Sequence, residues 1–541
     1  MMATKQNSAV PQWGRFEQQF VSSESYANPV QEVRLIITFT SPSGRERHSE
    51  GFWDGGAVWR VRFSPDETGM WTFTTHSEPE DPGLCDQQGR FTCGQPSGTT
   101  RFEQHGPVQL SSNRRFLVHA DGTPFLWLGD TAWNGPLRAT PDEWEHYLRE
   151  RVRQKFTAVQ WVTTQWLAAP DGDLRGEKAF TGTNRIVVNP VFFQRLDGYV
   201  EATARAGLLN VPVLLWAAQW STPEVNQQNP GFYLPEDQAA LLARYMVARW
   251  SAYPVIWILP GDGHYQGDKA ERWKRIGRAV FGDAPHAPVS LHPAGMQWNG
   301  EEFRNESWLD ILGYQSGHGD DESTLEWLVC GPPSRDWQNE PARPLINLEP
   351  PYEDHISYQS RKRISAGFTR RALYWSLLVS PTAGVTYGGH GIWGWDDGTA
   401  PPVGHPTTGI PLPWQQALVM DGAEQIRHLA DLFESIEWWR LIPAPDLLAD
   451  QPGDHDKGRY VTAAKSPEDD LIIVYIPQDR DIELNLIHSP DDLSAVWFDP
   501  RTGARQPAAV SGNHFTTPAA GDWVLLLGRG LVLPAGQGKS S

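Results

Sequence analysis

The strongest constraint in this sequence is a pattern that recurs between about residues 115 and 443. A short apolar segment, typical of a buried β-strand, is followed by a segment whose apolar residues recur at helical spacing. This alternation predicts a parallel sheet covered by helices, an α/β fold, and eight such strands suit a closed (β/α)8 TIM barrel. The candidate strands are FLWLG (125–129), TAVQWV (157–162), NVPVLLW (210–216), VIWILP (255–260), APVSLH (287–292), DILGYQ (310–315), PLINLE (344–349) and GVTYGG (384–389).

Both flanks of the barrel have the character of small β-domains. Before it, β-branched and aromatic runs alternate with turn signals such as SPSG, WDGG and PDETG. After it come the strand-like segments DLIIVYIP, LSAVWFDP and DWVLLLG. We therefore predict an N-terminal β-sandwich (1–104), a barrel (105–444) and a small C-terminal β-sandwich (445–541).

Composition excludes several classes of partner. The net charge of −19 predicts no nucleic acid and no anionic membrane surface as partner, because both would be repelled. The N-terminus lacks the basic and apolar regions of an export signal, so we expect a cytoplasmic protein. The chain has three cysteines, Cys85, Cys93 and Cys330, and we expect them to be reduced. A disulfide between Cys85 and Cys93 is the alternative if the protein is exported. A homo-oligomer is left open.

Tryptophan is abundant, with 26 residues. Its flat apolar face stacks on a sugar ring, while its single N–H and neighbouring polar groups bind the hydroxyls. Large cores use tryptophan as well, so the content suggests a carbohydrate partner without establishing one.

Polar and aromatic side chains follow each candidate strand. Because TIM-barrel active sites lie at the C-terminal ends of the strands, we expect these side chains to meet at one mouth. Their mixture of carboxylates, amides, imidazoles and indoles is typical of a sugar site. The predicted substrate-binding residues are Asp130, Trp133, Gln165, Trp166, Trp216, Gln219, Trp220, His264, His292, Gln315, Tyr352, Glu353, His390 and Trp393, and His318 and Trp395 belong to the same ring.

Two carboxyl groups are predicted to face each other across this mouth. Asp262 lies in PGDGHY after the fourth strand, and Glu349 ends the seventh strand in INLEPPYED. Hydrolysis of a glycosidic bond needs one carboxyl that protonates the leaving oxygen and another that attacks the anomeric carbon or activates water. We assign the proton donor to Asp262 and the nucleophile to Glu349.

Other interpretations of these carboxylates stay open. Asp262 could cap a turn, Glu349 could pair with an arginine such as Arg343, and Glu353 is a rival nucleophile. Asp130 could cap a helix, although we favour a sugar ligand. The sequence has no HExxH, GxSxG or phosphate-binding GxxxxGK[ST] motif, and we predict neither a metal nor a cofactor.

These residues carry a family resemblance. PFLWLGDTAW, KFTAVQWVTTQW, VIWILPGDGH, LINLEPPYE and GVTYGGHGIWGW resemble the apiosidase-like barrel glycoside hydrolases grouped with family 140. FWDGGAVWRVRFSPDETGMWTFTT resembles the β-sandwich module that often precedes such barrels, and WFDPRTG resembles a collagen-binding-type β-domain. The resemblance implies retaining hydrolysis, with the acid/base at the end of strand 4 and the nucleophile at the end of strand 7, which correspond to Asp262 and Glu349.

Three functions remain at this point. The first is an exo-acting retaining glycosidase that removes a terminal pentose, furanose or deoxy-sugar from a non-acidic glycoside. The second is an endo-glycanase of the same barrel, which would have an open groove. The third is a noncatalytic carbohydrate-binding protein, whose two carboxylates would lie too far apart for hydrolysis.

Overall fold

The N-terminal domain is a β-sandwich, as predicted. In the computed structural model, which describes residues 9–219, 222–282, 284–486, 493–509, 512–529 and 531, this domain has two facing sheets. Side chains alternate between core and solvent along Gly69–Glu78, as expected for a strand with one buried face. The first sheet runs in the order Ala9–Pro11, Gln88–Gly94, Gly69–Glu78, Arg34–Thr40 and Glu46–Glu50, and the second in the order Phe16–Val21, Val58–Phe63 and Phe52–Trp53.

The core of the sandwich is aromatic. Phe16 stacks on Phe91 with 4.1 Å between ring centroids, and Phe39 stacks on Phe63 with 4.0 Å. The chain leaves this domain through a small antiparallel sheet that precedes the barrel. The helices Pro29–Glu32 and Arg101–His105 and the strands Val108–Leu110, Leu117–His119 and Pro124–Phe125 make up the rest of this region.

The middle of the chain is a TIM barrel, which confirms the predicted fold class. Eight parallel strands pair in chain order, and the bridge from Ser290 to Ile311 joins the fifth strand to the sixth and closes the ring. Their side chains are almost all buried, because helices cover the outside. Numbering the strands of the barrel alone, they are β1 (Trp127–Thr131), β2 (Ala158–Val162), β3 (Leu209–Trp216), β4 (Trp257–Gly263), β5 (Val289–Pro293), β6 (Leu312–Gln315), β7 (Leu345–Glu349) and β8 (Gly384–Tyr387).

One principal helix follows each strand. The first begins with a capping box, in which the Thr140 hydroxyl accepts from the N–H of Glu143 and the Glu143 carboxylate accepts from the N–H of Thr140. The helices are α1 (Pro141–Arg153), α2 (Pro190–Arg205), α3 (Glu236–Trp250), α4 (Asp268–Val280), α5 (Gly300–Phe303), α6 (Glu322–Cys330), α7 (Ala366–Leu378) and α8 (Asp421–Glu434). Shorter pieces in the loops are the helices Gly135–Arg138, Pro223–Asn226, Pro230–Tyr233, Pro332–Asp336 and Trp414–Ala417 and the hairpin of Phe180–Thr181 with Val187–Val188.

The C-terminal domain is a small β-domain with its own apolar core. A six-stranded sheet faces a two-stranded one, and the larger sheet already includes Ile442–Pro443, just before the predicted boundary at 445. The sheets are formed by Ile442–Pro443, Thr462–Lys465, Leu471–Ile476, Trp523–Gly528, Ser494–Phe498 and Arg505–Pro507, and by Asp481–Glu483 with His514–Thr516. Single turns of 3-10 helix cover Trp438–Arg440, Pro445–Leu447, Pro452–Asp454 and Lys457–Arg459.

Ion pairs join both β-domains to the barrel. Arg62 of the sandwich donates to Asp197 on α2 at 2.7 Å, and Arg370 on α7 donates to Asp522 of the C-terminal domain at 2.6 Å. Because separating a buried charge from its partner is costly, these pairs favour one fixed arrangement of the three domains. Within the described ranges, no helix has the length and apolar character needed to cross a membrane.

Candidate active site

Asp262 itself makes the sharp backbone turn at the end of β4. Its φ is +50°, a left-handed conformation that is uncommon for residues other than glycine. The flanking glycines provide space instead: a Cβ on Gly261 would lie 2.6 Å from Cγ1 of Val213, and one on Gly263 would lie 2.6 Å from the Tyr265 ring. The PGDG segment therefore combines a strained aspartate with two close backbone approaches.

The environment of Asp262 favours a protonated carboxyl. Burial and the nearby negative charge of Glu349 raise the pKa of Asp262 to about 7, although His292 acts in the opposite direction. Part of the residue still reaches solvent. A carboxyl that holds its proton near neutral pH and remains accessible has the properties of a general acid.

Glu349 ends β7, and its carboxylate contacts two imidazoles. Its Oε1 lies 3.0 Å from Nε2 of His318, and its Oε2 lies 3.3 Å from Nε2 of His292. The backbone N–H of Tyr352 donates to Nδ1 of His318 at 3.2 Å. Nδ1 of His318 therefore carries the lone pair, and Nε2 carries the proton that is donated to Glu349.

Glu349 is held in its ionised form. Burial alone would raise the pKa of this carboxyl, but the contacts with His292 and His318 outweigh burial and hold it well below the usual range. The expected alternative, a pair with Arg343, is not present: that guanidinium donates to the backbone carbonyls of Arg304 and Glu306. Glu349 therefore stays ionised at pH values at which Asp262 still holds its proton.

An aromatic wall stands beside the two carboxyls. The rings of Trp166 and Trp216 are 4.5 Å apart, and those of Trp133 and Trp216 are 5.2 Å apart. Trp133 also meets His292 edge to face at 5.4 Å. The predicted residues Trp133, Trp166, Trp216 and His292 are therefore brought together at the ends of β1, β2, β3 and β5.

Several predicted residues present polar atoms that the described part of the protein leaves without a hydrogen-bond partner. They lie at the ends of four successive strands, β5 to β8, or in the loops that follow them, and they are at least nine-tenths buried. Buried polar atoms in proteins are usually paired, so such a group is suited to the hydroxyls of a sugar. The atoms are Nδ1 of His292, Oε1 of Gln315, Oη of Tyr352, Nε2 of His390 and Nε1 of Trp393.

Asp130 does not reach the mouth, contrary to the predicted role as a sugar ligand. The residue is fully buried, and Oδ2 accepts from Nε of Arg151 and from the Tyr147 hydroxyl, both at 2.6 Å. Both partners lie on α1, so this side chain of β1 points outward to the helix layer. The carboxylate joins a strand to a helix.

Glu353 is likewise directed away from the cleft, which argues against its predicted roles as sugar ligand and rival nucleophile. Its Oε2 accepts from the Tyr387 hydroxyl at 2.7 Å and from the N–H of Gly422 at 3.0 Å. Gly422 lies in the first turn of α8. Glu353 therefore secures the start of α8 to the barrel.

The other predicted residues lie at the periphery. Gln165 is buried, and its side-chain amide forms hydrogen bonds with the backbone of Ala179 and Phe180 that hold its loop in place. Gln219 accepts from Lys269 on the surface. His264 is exposed, and Trp395 stacks on Trp414 in the helix layer with 4.4 Å between centroids. Trp220 lies outside the described residues.

Sequence reasoning missed three residues near Glu349. His355 stacks on His318 with 4.4 Å between centroids, and Tyr358 meets His318 edge to face at 5.6 Å. His405 meets Trp393 at 4.9 Å. All three lie on the long loops after β7 and β8, and only their aromatic or imidazole character could have suggested them.

The family model described as "Apiosidase-like, catalytic domain" matches residues 111–440, more than half of the chain. The chain belongs to this family. Its barrel is thus that of an apiosidase-like glycoside hydrolase, as the sequence motifs suggested. A domain of unknown function matches residues 9–78, and the model "Putative collagen-binding domain of a collagenase" matches residues 442–528.

Solved structures support the fold of this apiosidase-like chain. A structure named "Glycoside hydrolase" is 23% identical with a TM-score of 0.69, covering 80% of this chain and 99% of its own. A glycoside hydrolase family 5 protein from Bacteroides vulgatus is 21% identical with a TM-score of 0.68, covering 81% of this chain and 98% of its own. None of the curated proteins matches the chain.

Proposed function

We propose that this apiosidase-like protein is a retaining, exo-acting glycoside hydrolase that removes a terminal uncharged pentose, furanose or deoxy-sugar. The observation that carries the proposal is the contrast between two carboxyls in one cleft. Asp262 is suited to hold a proton near neutral pH, and Glu349 is suited to stay ionised. Paired carboxyls with opposite environments are typical of the acid and the nucleophile of a glycosidase.

In the first step, Glu349 attacks the anomeric carbon while Asp262 gives its proton to the glycosidic oxygen. The carbon–oxygen bond breaks, the alcohol departs with the proton, and the sugar becomes an ester of Glu349. In the second step, Asp262 takes a proton from water, the water oxygen attacks the anomeric carbon, and Glu349 leaves as a carboxylate. Two displacements restore the original anomeric configuration.

The interaction between the two carboxyls supports the change of role that this cycle requires. Part of the elevation in the pKa of Asp262 comes from the charge of Glu349. Ester formation removes that charge, so the pKa of Asp262 falls and the residue can act as a base on water. A single electrostatic contact would thus serve both half-reactions.

The loop after β8, residues 388–413, supports exo action. The ring centroid of His405 on this loop lies 6.2 Å from that of Trp166 on the β2 loop. On the other side, Arg363 of the β7 loop donates to the carbonyl of Ile410 at 2.8 Å. The β8 loop therefore contacts the β7 loop on one side and, beyond β1, the β2 loop on the other. These contacts favour a binding pocket with a closed wall over an open groove. An endo-acting enzyme remains the second candidate.

The charge of the cleft supports a neutral sugar. Among described residues, the ion pairs of Glu349 involve only histidines, and Asp262 forms no ion pair. A sugar carboxylate placed here would meet the negative charge of Glu349 without an arginine or lysine to balance it. We therefore expect uronic acids to be poor substrates.

Release of nitrophenol from a panel of nitrophenyl glycosides tests the proposal. The panel should include pentofuranosides, apioside among them, deoxy-sugars and a glucuronide. For the substrate that is cleaved, proton NMR of the first sugar released reports its anomeric configuration. Retention supports the mechanism, whereas inversion would exclude a glycosyl ester on Glu349.

Azide separates the roles of the two carboxyls. In Asp262→Ala the ester still forms, and azide should trap it as a glycosyl azide of retained configuration. In Glu349→Ala azide enters in place of the carboxylate, and the glycosyl azide should have inverted configuration. If the two variants gave the opposite products, Glu349 would be the acid/base and Asp262 the nucleophile.

A further inference from the structure

A second cavity lies at the other end of the barrel from the two carboxyls. Its volume is about 310 Å³, at the lower end of the range of about 300–1,000 Å³ that is typical of small-ligand sites. The small sheet before the barrel contributes the turn at 113–116, and the barrel contributes segments that precede β7 and β8 and the chain that follows α8. The C-terminal domain contributes the turn at Pro467 and Glu468. The cavity therefore lies at a domain junction.

Two tryptophans line this cavity, Trp337 and Trp439, and both are only partly buried. Trp439 is braced through Trp438, whose ring lies 5.8 Å away at 83° and packs against Phe116. The carbonyl of Trp337 accepts from Arg115, whose guanidinium lies 5.5 Å from the Trp337 ring centroid. Both indoles are thus held in place by their neighbours.

A charged pair adjoins Trp439. Arg440 donates to Glu468 at 2.8 Å, and its guanidinium also contacts Glu437 and Asp470. Planar guanidinium and carboxylate groups beside an indole can bind neighbouring hydroxyls while the indole stacks on the C–H face of a sugar. Because carboxylates already neutralise Arg440, and Glu340 lies 3.4 Å from Arg115, the other arginine of the lining, the arrangement does not favour an anionic ligand.

We propose that this cavity is a noncatalytic carbohydrate-binding site that holds a neutral segment of glycan on Trp439, between the barrel and the C-terminal domain. The site does not hydrolyse its ligand, because Glu468 is the one carboxylate among the described residues that line it, and two carboxyls are needed. It is independent of the mechanism proposed for Asp262 and Glu349. It also gives the C-terminal domain a share in binding.

Affinity electrophoresis of the full chain tests this site. The gels contain arabinan, xylan, galactan or β-glucan as neutral probes and polygalacturonate as the anionic probe. The chain carries Glu349→Gln, so that no probe is hydrolysed. We expect retardation by at least one neutral polysaccharide, and a loss of about tenfold or more in affinity in Trp439→Ala, as is typical when an aromatic anchor is removed.

Trp53→Ala is the matched control, because Trp53 is also partly buried but lies in the N-terminal sandwich, and it should bind as the parent does. Glu468→Ala changes a largely exposed side chain and should weaken binding several-fold without affecting folding. With Glu349 restored, Trp439→Ala should keep the parent's activity on nitrophenyl glycosides. Absence of retardation by every neutral probe, or retardation unchanged in both Trp439→Ala and Glu468→Ala, would overturn the proposal.

Discussion

Nε2 of His318 lies 3.0 Å from Oε1 of Glu349. The N–H of Tyr352 donates to Nδ1 on the other side of the ring, so Nε2 carries the proton that faces Glu349. We expect His318→Ala to lower kcat by about 10²-fold, because the carboxylate loses a donor that orients it and keeps it ionised. His318→Gln keeps an amide donor and should recover part of the loss. Steady-state kinetics of both variants checks this.

The pH profile distinguishes this role from a purely structural one. The contacts with His318 and His292 hold the pKa of Glu349 below its usual range, so loss of one donor raises that pKa. The acid limb of kcat/KM should therefore move to higher pH in His318→Ala. His76→Ala, on the exposed face of the N-terminal sandwich, is the control and should leave the limb in place. An unchanged acid limb in His318→Ala would contradict the electrostatic role.

Asp262 should set the basic limb of the same profile. Burial and the charge of Glu349 raise its pKa to about 7, and the first step needs its protonated form. Activity should therefore fall as the pH rises through about 7. In Glu349→Gln the neighbouring charge is absent, so carbon-13 NMR of labelled aspartate should show a lower pKa for Asp262. A pKa that stays the same or rises would show that the two carboxyls do not interact.

Much of the fold and part of the site could be predicted from the sequence, for a physical reason. Short apolar runs separated by helical segments indicate a parallel sheet, and eight of them suit a closed barrel, whose strand ends then place Asp262 and Glu349 at the same mouth. The direction of a side chain at a strand end is not fixed in this way. Asp130 and Thr131 are neighbours at the end of β1, yet successive side chains point to opposite faces, and both faces are buried.

Loop residues were harder still to predict. Glu353 follows β7 closely in sequence, but its loop turns it toward α8, where it meets the N–H of Gly422. His405 lies far beyond the end of β8, yet the β8 loop returns it to Trp166 and Trp393. Neither path is encoded in local periodicity, since such contacts depend on tertiary packing of the loops.

Asp130→Asn should destabilise the protein without changing catalysis. The change leaves the guanidinium of Arg151 buried without its countercharge, and breaking a buried pair costs about 3–5 kcal/mol. Urea unfolding measures this loss. Glu150→Gln removes an ion pair of the more exposed Arg153 on the same helix, and it should change stability by less than about 1 kcal/mol. A higher KM with unchanged stability in Asp130→Asn would instead support the predicted role of Asp130 as a sugar ligand.

Glu353 provides the sharpest comparison with Glu349, because the two glutamates are close in sequence and equally inaccessible, with exposures of 6% and 7%. Among the described residues, Glu353 accepts hydrogen bonds only from the neutral donors of Tyr387 and Gly422, and its burial raises its pKa. Glu353→Gln keeps an acceptor for one of these donors. We expect it to lose about 1–3 kcal/mol of stability and to retain kcat within about threefold at a temperature where it is folded.

Glu349→Gln should instead fold normally and lose detectable hydrolysis, because an amide cannot form the glycosyl ester. Azide should restore turnover in Glu349→Ala and have no effect in Glu353→Ala. Circular dichroism before each assay separates loss of fold from loss of chemistry. If azide rescues Glu353→Ala and fails with Glu349→Ala, the nucleophile is Glu353, and the two histidines on Glu349 serve to hold a structural carboxylate.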